Sequence, residues 1–199
     1  MRTACADSPC CRPRSIGRGD FRAVLRRDPG QRFTGWFNDT VEVMTVDTWA
    51  ARIRALPGVT ETRIEPDSGM PPYTWDDRFF FAGEDRMRPF ATIVGHDVPD
   101  FDTLSDLDRP GVHRLNIEVG RSEFTNLFGY GPEQFSDRRP GIDFTVADRL
   151  IPHPAYGVQG WASVVQPGPA TFDEVGRLLE HARSRSVARL ARMRTSEGE

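Results

Sequence analysis

Residues 111–119, GVHRLNIEV, alternate with a period of two. His113, Leu115, Ile117 and Val119 fall on one side; Arg114, Asn116 and Glu118 fall on the other. Successive side chains of a strand leave opposite faces. The run therefore predicts a half-buried antiparallel strand with an apolar face on a core and a polar face turned away. A sheet built around it needs helical cover on one side only.

Two helical segments can supply that cover. Trp49, Ile53 and Leu56 recur at i, i+4 and i+7 behind a capping Asp47 or Thr48, and Pro57-Gly58 ends the run. Near the other end, Thr171 and Glu174 have capping-box spacing, and Phe172, Val175, Leu179, Ala182, Leu190 and Met193 make one stripe. Between them, residues 60–64, 78–82 (RFFFA), 89–94 (PFATIV) and 160–166 (GWASVVQ) have strand composition, with Gly83-Glu84-Asp85-Arg86 as a hairpin connection. A short helix over 122–128, capped by Ser122 and closed by Gly129, interrupts them, and 132–148 reads as loop. The fold class is α+β: an antiparallel sheet of four to six strands, with N-terminal and C-terminal helices on one face.

One domain over 44–194 accounts for this pattern, followed by a flexible tail at 195–199. Residues 1–43 differ: they are rich in Arg, Gly, Pro and Ser, carry a net charge of +3, and show no apolar period. Such a segment buries too little apolar surface to offset chain entropy. It is either a flexible basic arm or, the preferred reading, sequence upstream of a start at Met44. The remainder carries -6, a poor basis for nucleic-acid binding, where phosphate contacts dominate affinity. No apolar run reaches the ~20 residues of a membrane span, and no secretory h-region opens the chain, so the cytoplasm is the expected location.

All 26 basic residues are Arg. The absence of Lys excludes a Schiff-base or pyridoxal-phosphate lysine and a Walker-A phosphate loop, and no cofactor motif is found. Cys5, Cys10 and Cys11 lie in the leader without nearby histidines, so no zinc site is expected there. The aspartate-rich run 95–108 (GHDVPDFDTLSDLD) fails as an EF-hand. Counted from Asp100, Leu104, Ser105 and Gly111 occupy positions that call for a ligand, a glycine and a glutamate. The loop is expected to be structural and solvated, with Asp106 and Asp108 shaping the turn before Arg109-Pro110-Gly111. No metal is expected.

FATIV (90–94), SDLDRPGVHRLNI (105–117), DFTVADRLIPHPAYG (143–157) and QGWASVVQP with ATFDEV (159–175) resemble, in order and spacing, an actinobacterial family known only as domain of unknown function 6194. More distantly, RLNI, HPAYGVQGWASVV and the last helix resemble MmcQ/YjbR-like proteins. That likeness implies a CyaY-like sheet packed against two terminal helices. Some of those relatives are labelled DNA-binding, but here HPAYG (153–157) stands where they carry basic residues.

HPAYGVQGW (153–161) is the most reactive local run. With the polar strand face beside it, Arg114, Asn116, His153, Tyr156 and Trp161 become the candidate ligand-binding residues, with Arg114 aimed at a small anionic ligand. A non-enzymatic binding or interaction domain is the leading reading. The alternative is a small hydrolase or lyase with His153 or His96 as general base beside an aspartate. DNA binding comes last. The arginines of the last helix read as a solvated face that offsets the helix dipole.

Overall fold

A computed structural model describes residues 44–83 and 86–196; the readings made of the leader, of Glu84-Asp85 and of the last three residues lie outside them. The elements run α1 (Val46–Arg54), β1 (Val59–Arg63), β2 (Arg78–Ala82), β3 (Ala91–Val94), β4 (Arg114–Glu118), α2 (Gly120–Phe128), α3 (Phe135–Arg138), β5 (Leu150–Pro152), β6 (Trp161–Val165) and α4 (Phe172–Ser196). Six antiparallel strands form one open sheet in the order β1-β2-β3-β4-β6-β5, an α+β fold. No helix of the described residues is long and apolar enough to cross a membrane.

One face of the sheet carries the core. Phe80, Ala82, Ala91, Ile93, Leu115, Ile117, Ala162 and Val164 cluster with Trp49 and Ile53 of α1, Phe124 of α2, and Val175, Leu178, Leu179 and Ala182 of α4. The i, i+4 and i+7 spacings recovered these helices, because an amphipathic helix can bury only the stripe its period aligns. The stripe on α4 ends before the helix does: Met193 is exposed.

Four local readings need correction. Thr45, not Asp47 or Thr48, caps α1: its hydroxyl accepts the Thr48 N–H at 3.2 Å. Helix α2 starts at Gly120, placing Ser122 inside the first turn with no capping role. Residues 132–148 hold α3 and two turns of 3-10 helix, and the edge strand β5 follows them. Its Pro152 sits at the margin of the sheet, where a missing N–H is tolerated.

The fourth concerns α4. The Thr171 hydroxyl donates to Asp148 Oδ1 at 2.7 Å, while the Asp148 carboxylate also accepts the N–H groups of Gly168, Ala170 and Thr171 at 2.8–3.1 Å. Burial raises the pKa of Asp148, but the Thr171 hydroxyl and these N–H groups outweigh it and hold the carboxyl below its ordinary range. Asp148, twenty-odd residues upstream, thus accepts the Thr171 N–H that a capping box assigns to Glu174, whose carboxylate is bonded by Arg177 instead.

Gly120 and Gly160 fix how α2 leaves the sheet. Both have positive φ, 77° and 78°, and the Gly120 N–H donates to the Gly160 carbonyl at 2.9 Å. A Cβ at Gly160 would lie 2.9 Å from the Gly120 carbonyl carbon, and backbone cannot swing away as a side-chain tip can. Gly160→Ala is therefore expected to lower the unfolding free energy by about 2 kcal/mol, from left-handed strain plus overlap. Chemical denaturation checks this. A loss below about 0.5 kcal/mol would show that the two backbones can separate freely.

Candidate functional site

The second face of the sheet is not open. Thr92 of β3, Asn116 of β4 and Ser163 of β6 stand opposite one another in register. Asn116 Nδ2 donates to Thr92 Oγ1 at 2.9 Å, and Asn116 Oδ1 accepts from Ser163 Oγ at 2.8 Å and from Arg114 Nε at 2.8 Å. All four side chains are buried.

The aspartate-rich loop closes over Arg114. Arg114 Nη1 donates to Asp102 Oδ1 (3.2 Å) and to Ser105 Oγ (2.7 Å), and Nη2 to Asp102 Oδ2 (2.5 Å). Arg114 is 2% exposed and Asp102 7%. The loop is structural as expected, but Asp102 is not solvated. The remaining aspartates shape the loop: Asp97 accepts the Leu107 N–H, Asp108 accepts the Asp97 N–H, and Asp100 and Asp106 take positive φ. Among the described residues, no three His, Cys, Asp or Glu side chains meet as a metal-ligand set.

His153 stands at the edge of the network. Its Nδ1 accepts N–H groups from Ala155 (3.1 Å) and Tyr156 (3.2 Å), so its hydrogen sits on Nε2, 3.5 Å from Arg114 Nη2 and 4.0 Å from Asp102 Oδ2. Burial, then the Arg114 charge, hold the imidazole well below its usual range. His153 is a neutral structural hinge for the 153–160 turn, not a group titrating near neutrality. Its basic lone pair is engaged by backbone, which removes it as a general base.

Above this polar floor lies a cavity of about 700 Å³. Arg114, Asn116, His153, Tyr156 and Trp161 all line it, so the fold brings the five candidates together. The rings of Tyr156 and Trp161 stand 6.3 Å apart, and Phe101 of the loop packs 5.6 Å from Tyr156. The arginine fork, however, is taken by Asp102 and Ser105. The motive for an anionic ligand at Arg114 fails on that geometry.

Asp77, Phe79, Thr92 and Phe101 also line the cavity and escaped the sequence reading. A signal existed for two of them. Thr92 is the lone polar residue inside the apolar strand ATIV, and Asp77 immediately precedes the RFFFA strand. Asp77 is 5% exposed; its Oδ1 accepts the Gly95 N–H at 3.3 Å, and no ion pair neutralises it among the described residues. Burial pushes its carboxyl up to about 7 against the pull of that N–H and of the His96 and Arg114 charges. His96 lies at the same cavity, half-exposed, with Nδ1 3.3 Å from Asp108 Oδ1.

No curated protein and no solved structure matches the chain. A family model does match, over residues 44–195, which takes in both layers and every residue that lines the cavity. The chain belongs to DUF6194, a family of unknown function.

Proposed function

We propose that this domain binds a small molecule in the cavity over the polar face of its sheet. The observation that carries this is the contrast between floor and walls. The floor is a buried polar network in which Arg114, Asp102, Asn116, Thr92 and Ser163 are hydrogen-bonded to one another. A face serving packing alone would be filled with apolar side chains, since buried polar groups stabilise little even when satisfied. The walls are aromatic, and the volume falls in the range of small-ligand sites. Thr92 accepts from Asn116 and keeps its own hydroxyl hydrogen for a ligand acceptor.

Fragment screening by ligand-observed NMR tests the proposal. Hits are expected whose affinity falls about tenfold in Tyr156→Ala, the loss of one stacking wall, and is unchanged in Arg54→Ala on α1. Tyr156 is 37% exposed, so its removal leaves the fold intact. Hits indifferent to Tyr156, or none at all, would remove the reading.

A His-based hydrolase or lyase is the second reading; with the His153 lone pair engaged by backbone it would rest on His96, which lines the cavity and whose Nδ1 lies 3.3 Å from Asp108. DNA binding draws little support: Arg177, Arg185 and Arg189 of α4 form ion pairs with Glu123, Glu174 and Glu118. Kinship with MmcQ/YjbR-like proteins draws support from an antiparallel sheet covered on one face by the first and last helices of the domain.

A further inference from the structure

We infer that Asp77 is the counter-ion for a protonated amine, and that the cavity's ligand is an aromatic or similarly apolar organic cation. The inference rests on the cavity being a binding site and names the class of molecule it takes.

Three carboxylates line the cavity, and two are already matched. Asp102 is held by Arg114, and Glu118 by Arg189 at 2.9 Å with Arg185 at 3.8 Å. Among the described residues Asp77 alone of the three forms no ion pair; its Oδ1 accepts the Gly95 N–H, and Oδ2 is not one of the enclosed atoms left without a partner, so it stays open to a ligand in the cavity. A buried carboxylate in that state is costly unless something else satisfies it. An ammonium group supplies both the charge and the donors.

The surroundings suit the rest of such a molecule. Phe79 of β2, two residues beyond Asp77, lines the same cavity, and Phe101, Tyr156 and Trp161 complete its aromatic lining. Ring faces attract an organic cation and shed the water that would otherwise solvate it. Burial raises the Asp77 carboxyl despite the nearby His96 and Arg114 charges, and a bound cation would pull it back down. The charged and titratable groups around Asp77 are Asp76 beside it, His96 on the β3–β4 loop and Arg114 on β4. Asp102, His153, Glu118, Arg189 and Arg88 line the same cavity.

Isothermal titration of the full chain with phenethylamine, 2-phenylethanol and phenylacetate provides the test, since the three share a ring and differ in charge. At pH 8 phenethylamine is expected to bind at least about tenfold tighter than the alcohol, with phenylacetate weakest. Asp77→Asn should bring the amine to the affinity of the alcohol and leave the alcohol unchanged. In the unsubstituted protein the amine should weaken by about tenfold or more between pH 8 and pH 5.5, as Asp77 takes up its proton, and the alcohol should not. His96→Gln should keep that pH dependence, which assigns it to Asp77 without relying on the asparagine variant. Alcohol or phenylacetate binding as tightly as the amine would overturn the inference and leave the cavity reading standing. Failure of all three probes at millimolar concentration would overturn both.

Discussion

Replacing Asp77 with asparagine is expected to raise the unfolding free energy at pH 8 by about 2–4 kcal/mol and to change it little near pH 4. The sign follows from proton counting. Asp77 has its carboxyl raised from 3.8 to about 7 in the folded state, so between those values the native chain holds a proton that the unfolded chain has released. Stability due to this group is full below pH 3.8 and is lost as pH rises through about 7. Above that, the native state must carry an ionised carboxylate in a site 5% exposed, at a cost of about 1.4 kcal/mol for each tenfold weakening of the acid. Asparagine has nearly the same shape, keeps an oxygen for the Gly95 N–H, and never ionises. Urea denaturation of both proteins at pH 4.5 and pH 8 checks the claim. Equal stabilities at pH 8 would mean that Asp77 is better solvated than its burial implies.

Asp102→Ala is expected to act in the opposite direction and to cost about 3–5 kcal/mol. Removing this carboxylate leaves the Arg114 guanidinium buried with no countercharge, with only Ser105 and Asn116 still accepting from it. The double substitution Asp102→Leu with Arg114→Met should recover most of that loss, because it removes both desolvation penalties together. Equilibrium denaturation with an unchanged m-value is the readout. A single-variant loss below about 1 kcal/mol would show that water reaches Arg114 and that the floor is not rigid. Recovery in the double variant with loss of fragment binding would separate the network's two roles, packing the loop and shaping the cavity.

The element order and the two faces of β4 were legible because both are local. Alternation from His113 to Val119 depends on the pleat of one strand, and the Trp49–Ile53 spacing on the pitch of one helix. The same locality put Arg114 and Asn116 on one face and drew attention to the 153–161 turn. It also misled at the helix ends. The Thr171–Glu174 spacing fits a capping box, yet Asp148, from another part of the chain, accepts both the Thr171 N–H and its hydroxyl. Pairing across space has no period. Nothing in the aspartate-rich loop marks Asp102 as the one that turns inward, since the choice depends on positive φ at Asp100 and Asp106 and on where the loop re-enters the sheet. Strand composition likewise could not show that β5 follows the irregular stretch, because three residues are too few for alternation to register. By itself the sequence determined the layers and which side chains share a face, through periods set by backbone geometry. Only the tertiary structure decided which charges meet and which is left over: Arg114 found Asp102, and Asp77 forms no ion pair among the described residues, because electrostatic pairing is settled by distances between residues far apart in the chain.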